Sequence, residues 1–149
     1  MPRIVREADV GWTGSLSRGS VVATAASSGA FELPVTLASR VGDPEGKTSP
    51  EELLAAAHAS CFASSLAGES ARAGGTVAHL DVRCTITMDE VEGKGHQIVS
   101  SAIEATGRVD GLDAAAFERV ARTADEGCPF SALLRASASV TVRAQLDES

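Results

Sequence analysis

Cys61 and His58 stand three residues apart in the stretch SPEELLAAAHASCF (49–62), on one face of what reads as a helix. A thiol with an imidazole one turn behind it is an arrangement for nucleophilic catalysis, the imidazole taking the thiol proton. Taken by themselves the two positions suit inert packing better, because a free cysteine behaves as a small buried hydrophobe. A second thiol, Cys128, opens CPFSALL (128–134), after a glycine that ends one helix and before Pro129, which starts the next. Near a helix N-terminus, unpaired N–H groups stabilise a thiolate or an incoming oxygen. Two thiols so placed are what a peroxidatic and a resolving cysteine require. The first attacks an O–O bond and becomes a sulfenic acid, and the second condenses with it. Chain order permits such a meeting. Cys84 lies among the inward-facing residues of an alternating segment and reads as core packing. A reactive thiol also needs a cation to lower its pKa; Arg40 is well placed by order, with Arg18 as its competitor.

The elements that must position these residues follow from periodicity and punctuation. The run 18–40 is strand-like and breaks at SSG (27–29), so it reads as a hairpin or short meander starting near Val5. A loop crowded with Gly, Pro and charge (41–50) supplies a helix start. Ser49 is the N-cap, Pro50 the first helical residue, and Glu51 and Glu52 lie in the first turn, where negative charge suits the helix dipole. From Pro50 to about Arg72 the helix is small or apolar nearly all round, with Leu53, Leu54, Ala57, Ala59, Phe62 and Leu66 leaving no broad polar face. Such a helix is expected to be buried, its alanines letting another backbone come close, and AGG (73–75) stops it.

Residues 77–91 alternate Val82, Cys84, Ile86 and Met88 with polar residues, which is the period of a half-buried strand. A turn at 92–97 leads to a second, antiparallel strand at 98–109. The next helix spans 110–128, with Asp113 as N-cap, an apolar stripe of Leu112, Phe117, Val120 and Ala121, and Gly127 as its stop. A short helical piece from Cys128 and a last strand at 139–146 close the order. Strands, long helix, strands, helix and strand describe one α+β domain over 1–149, an antiparallel sheet covering a buried helix.

Charge and composition exclude other classes. With 13 Lys+Arg against 20 Asp+Glu the net charge is −7, which does not suit a nucleic-acid or anionic-membrane partner. No apolar run reaches the roughly 20 residues that span a bilayer, and MPRIVREADVGW lacks the apolar core of a signal peptide. The expected setting is cytoplasmic, where three cysteines mean working thiols and a bystander rather than a disulfide framework.

Taken together, SPEELLAAAHASCF (49–62) and GCPFSALL (127–134) closely resemble the OsmC/Ohr family of thiol-dependent hydroperoxide reductases. GWTGSLSRG (11–19), Arg40 and VDGLDAAAF (109–117) fit the OsmC branch better than the Ohr branch, and the likeness runs from about residue 11 to 146. The resemblance implies antiparallel sheets wrapped around the long helix in an intertwined homodimer, with active sites at the subunit interface. It implies that Cys61 is the peroxidatic thiol, Cys128 the resolving one, and Arg40 and Glu51 a hydrogen-bonded pair that orders thiolate and peroxide. It further implies a hydroperoxide substrate, a dithiol reductant of lipoyl type, a part in stress defence, and no metal or organic cofactor. The chain departs from the family at 40–47, which lacks an aromatic residue after the arginine, and at 3% aromatic content it has few rings to line a pocket.

Glu51 and Cys61 are ten positions apart, about 15 Å along a continuous helix. One side chain cannot bridge that distance, so Glu51 is expected to serve the thiol of a second subunit, with two alanine-rich helices antiparallel about a two-fold axis. On this reading His58 is a packing residue with a hydrogen-bonded ring. Two other classes fit the residues alone. A Cys–His hydrolase or acyl transferase would use Cys61 and His58 and not need Cys128; a non-catalytic dimeric module, sensing oxidants or holding an apolar ligand, would not need Arg40. Zinc held by Cys61, His58 and Cys128 matches no usual ligand spacing.

Overall fold

The computed structural model describes residues 2–147, and the chain forms two compact units, one up to Leu53 and one from Leu54 onward. In the first unit β1 (Ala8–Thr13), β2 (Ser20–Ala25) and β3 (Glu32–Thr36) form an antiparallel meander in that order. The break at 27–29 is its second turn. Gly29 there has φ +68°, a backbone state open to glycine at little cost.

β3 runs straight into α1 (Leu37–Val41), a five-residue helix. The expectation that Arg40 ends a strand is therefore corrected: Arg40 lies on this helix. The cause is a reciprocal cap. Thr36 Oγ1 accepts from the Ser39 N–H at 3.0 Å, and Ser39 Oγ accepts from the Thr36 N–H at 3.0 Å. The loop after α1 returns beside β3, where Thr48 N–H donates to the Pro34 carbonyl at 3.0 Å. Glu51, just beyond it, is thereby brought back to Arg40.

α2 (Pro50–Arg72) begins as expected, with Ser49 Oγ accepting from the Glu52 N–H at 3.1 Å. Within the one chain its burial is one-sided. His58, Phe62, Leu66 and Ser70, spaced one turn apart, are buried, whereas Ala56, Ser60, Ser64 and Gly68 on another line are exposed. A single layer of strands covers only one side of a helix, so uniform small-residue composition does not by itself bury the whole circumference.

In the second unit β4 (Thr76–Val91) and β5 (Gly95–Asp110) pair antiparallel over most of their length, and β6 (Ser139–Leu146) adds to the other edge of β5. The β5–β6 pairing is parallel, which corrects the expectation of an antiparallel sheet. Between these strands the chain makes α3 (Ala114–Glu126) and α4 (Pro129–Arg135), and such a crossover is what parallel neighbours need. α3 starts where Asp113 Oδ1 accepts from the Ala116 N–H at 2.8 Å. Among the described residues, no helix is long and apolar enough to cross a membrane.

The core of this unit joins Phe62 and Leu66 of α2, Ile103, Ala105 and Val109 of β5, Phe117, Val120, Ala121 and Ala124 of α3, and Cys128. β5 feeds it through every second residue, as a central strand must. Gly107 is the tightest point in that row: a Cβ there would lie 2.6 Å from Phe117 Cζ, inside a fully buried ring. Gly107→Ala is expected to destabilise the protein by about 1–3 kcal/mol through overpacking. Denaturant midpoints of the two proteins check this.

Candidate active site

Cys61 is half-buried on α2, next to the buried line that carries Phe62. Cys128 is fully buried at the N-cap of α4, where the chain turns out of α3 with Cys128 N–H donating to the Asp125 carbonyl at 3.2 Å. Its side chain makes no capping hydrogen bond. The sulfur points instead at Cys61, with Sγ–Sγ 3.4 Å, and both thiols are free. Residues far apart in sequence thus meet, because α3 carries the chain from the end of the sheet back to α2. Pro129 has no N–H, so Phe130 supplies an early free donor of α4. Burial pushes the Cys61 thiol above its ordinary value and the Cys128 thiol beside it adds to this, while the Phe130 N–H donating to the Cys61 sulfur pulls it down.

His58 is completely buried, and both its ring nitrogens are engaged: Nδ1 lies 2.6 Å from Ser101 Oγ on β5 and Nε2 2.8 Å from Ser131 Oγ on α4. A neutral imidazole has one donor and one acceptor, and a hydroxyl answers either, so both tautomers are satisfied. Neither nitrogen is left for Cys61. The expected hydrogen-bonded packing histidine is what the structure contains, and the pairing that a Cys–His hydrolase requires is not formed. Cys84 Sγ, half-buried, lies 3.2 Å from Ser101 Oγ, and burial raises its pKa, as expected of a core thiol. Among the described residues no group of three or more His, Cys, Asp or Glu side chains is arranged to hold a metal ion.

Arg40 and Glu51 form the other predicted pair, within the first unit. Arg40 Nε and Nη2 donate to the same carboxylate oxygen, Glu51 Oε1, at 2.8 and 2.7 Å. The fork closes on one oxygen rather than on two, leaving Glu51 Oε2 buried without a hydrogen-bond partner. Arg40 also lines an apolar cavity of about 340 Å³ in this unit, walled by Val10, Trp12, Leu16, Val35 and Leu53. Arg18, the competitor, is exposed in the turn between β1 and β2.

Sequence reasoning missed Ser101 and Ser131. Ser101 left a signal, a polar residue in register with the inward row of Ile103 and Ala105. Ser131 left a fainter one. It follows Cys128 by three residues, as His58 precedes Cys61 by three, and that symmetry acquires meaning only once the helices meet.

The chain matches known proteins along most of its length. Residues 42–143 match the family described as OsmC-like protein. Peroxiredoxin OsmC of Escherichia coli (strain K12) is 33% identical over 125 residues, which are 84% of this chain and 86% of that protein. Among solved structures, an organic hydroperoxide resistance protein OsmC from Legionella pneumophila is similar with a TM-score of 0.76 at 23% identity, covering 97% of this chain and 99% of that one. An organic hydroperoxide resistance protein from Elizabethkingia anophelis gives 0.79 at 19% identity, covering 98% and 99%. At these identities the likeness is one of fold.

The buried imidazole makes stability depend on pH. Burial lowers the His58 pKa below the ordinary 6.5, Asp125 opposing and Arg135 assisting. An unfolded chain takes up that proton first as pH falls, so the contribution of His58 is complete above pH 6.5 and is lost toward its lowered folded value. The urea midpoint of the reduced protein is expected to fall between pH 7 and 5, and more shallowly in His58→Gln, measured across the same range.

Proposed function

The chain belongs to the OsmC-like family, and from that membership we infer that it is a thiol-dependent peroxidase that reduces organic hydroperoxides to alcohols. The single observation that carries the reading is the 3.4 Å approach of the free thiols Cys61 and Cys128.

Cys61 is the half-exposed thiol, and in the proposed mechanism it is the one that meets substrate. Its thiolate attacks the terminal oxygen of ROOH; the O–O bond breaks, Cys61 becomes the sulfenic acid, and RO⁻ leaves to take up a proton as the alcohol. Cys128 then attacks the Cys61 sulfur. An S–S bond forms, the S–O bond breaks, and the departing hydroxide leaves as water with the Cys128 proton. An external dithiol, of lipoyl type or similar, exchanges with the disulfide and returns both thiols.

Burial works against the first step, since it favours the neutral thiol, so the thiolate needs a cation in addition to the Phe130 N–H. Arg40 is that cation in this proposal, oriented by Glu51. A guanidinium held at two nitrogens keeps a fixed plane with its remaining N–H groups free for thiolate and peroxide, which an ammonium cannot do. Glu51 and its Arg40 serve the thiol of a second copy in an intertwined homodimer, since about 15 Å of helix separates Glu51 from its own Cys61. The apolar cavity beside Arg40 suits the organic group of the substrate. We place the enzyme in the cytoplasm as a stress defence, where reductants keep both thiols cycling.

The first test is the intact mass and thiol titre of reduced protein after one equivalent of cumene hydroperoxide. The wild type is expected to lose two hydrogens, and Cys128→Ser to carry a trappable sulfenic acid on Cys61. Thiols unchanged in both would overturn the reading. Arg40→Lys is expected to keep the fold and to slow Cys61 oxidation by about tenfold, the loss of one charge-assisted contact. Stopped-flow rates equal to those of the wild type would remove Arg40 from the mechanism.

A further inference from the structure

α4, which carries Cys128 at its start, is a poor helix by itself. It has seven residues, no side-chain N-cap bond, and only Ser131 and Leu134 buried. An isolated helix of that length is not stable in water, so tertiary anchors decide where it lies. Toward α3 it has the Arg135–Asp125 ion pair at 2.6 Å, with the arginine side chain 45% and the aspartate 15% exposed. Water at the arginine end screens part of that attraction. Toward α2, besides the sulfur–sulfur contact and the Phe130 N–H that donates to the Cys61 sulfur, it has the fully buried hydrogen bond between Ser131 and His58 at 2.8 Å.

That bond runs beside the thiol contact. His58 is one turn before Cys61 on α2, and Ser131 is one turn after Cys128 along α4, so the two helices are joined at two neighbouring rungs: sulfur to sulfur at 3.4 Å and imidazole to hydroxyl at 2.8 Å. The imidazole cannot swing away freely, because its other nitrogen is held 2.6 Å from Ser101 on the central strand β5. A continuous path therefore leads from the sheet through His58 to the helix that carries Cys128.

We propose that His58, acting through Ser131, is a positioning residue for the resolving step, holding α4 in the register that keeps Cys128 within reach of the oxidised Cys61. The proposal rests on the peroxidase reading above. It concerns the second step alone, in which the Cys128 sulfur displaces hydroxide from the Cys61 sulfenic acid. A disulfide bond is about 2.05 Å long, so the two sulfurs need to close by only roughly 1.3 Å from their 3.4 Å separation. A small displacement is affordable where the neighbouring rung stays fixed. Where it is lost, α4 drifts, the sulfenic acid persists, and a second hydroperoxide carries Cys61 to the sulfinic acid.

The test separates the two steps in single-turnover kinetics with cumene hydroperoxide, following Cys61 oxidation and disulfide formation independently. Ser131→Ala is expected to oxidise at Cys61 within twofold of the wild-type rate and to form the disulfide at least tenfold more slowly, with Cys61 sulfinic acid accumulating in excess hydroperoxide. Ser131→Thr, which keeps the hydroxyl, is expected to restore the second rate to within threefold. Leu134→Ala loosens α4 by removing buried packing while leaving the hydrogen bond, and its condensation is expected to stay within threefold of wild type. Condensation unchanged in Ser131→Ala overturns the proposal, and so does equal slowing in Leu134→Ala. Should Ser131→Ala fail to fold, His58→Gln is read for the same two outcomes. A wild type that forms no disulfide overturns the peroxidase reading; a wild type that forms it, with Ser131→Ala keeping pace, overturns only the positioning role.

Discussion

Two thiols 3.4 Å apart are in van der Waals contact and not bonded, and holding them there reduced is a demand on everything around them. Cys128 has to be delivered to α2 from the far end of α3, and its sulfur has to turn inward rather than cap its own helix. The stop at Gly127, the extended backbone at Cys128 and the missing donor at Pro129 do this locally. Phe117, Val120 and Ala124 do it at longer range by seating α3 against the sheet, and the absent side chain of Gly107 is what lets the Phe117 ring sit so close to β5. Phe117 and Cys128 belong to one buried cluster, so the packing at Gly107 is part of the core that seats Cys128.

The same burial sets an opposing requirement. Burial favours the protonated form of the Cys61 thiol, and a protonated thiol is a poor nucleophile. Within the second unit the Phe130 N–H is the compensating influence on Cys61. The guanidinium that the proposed mechanism uses is held in the first unit, by a carboxylate whose second oxygen has no partner there.

Much of this architecture was legible because it is written in local rules. The alternation at 77–91, the Asp113 cap and the last strand at 139–146 depend on side-chain period and capping chemistry that a few residues carry. α1 was not legible. It is too short to show a period, and its capping box uses Ser39 at the position where a longer acidic or amide side chain is the familiar signal. Nor was the parallel direction of β6, since that is decided by the crossover through α3 and α4 and not by any residue of the strand. The two thiols, whose sulfurs lie 3.4 Å apart, and the Arg40–Glu51 ion pair were named from the sequence, whereas Ser101 and Ser131 were not, because their importance lies in a histidine that reaches both at once.

Within its own chain α2 is buried along one line and open along another. Its buried line of His58, Phe62, Leu66 and Ser70 is mixed in size and polarity, and its exposed line of Ala56, Ser60, Ser64 and Gly68 is uniformly small. On that exposed line the hydroxyls have turned inward: Ser60 Oγ donates to the Ala56 carbonyl at 2.6 Å and Ser64 Oγ to the Ser60 carbonyl at 3.1 Å. Serines that bond back along their own helix give up little when water is removed from them. A smooth surface of small residues, with its polar atoms already satisfied, can be covered by a second backbone at low cost, and that is the surface on which the proposed homodimer would close. Cys61 sits between the two lines, half-buried, with Phe62 on the buried side and Ser60 on the exposed one, and it packs against the core.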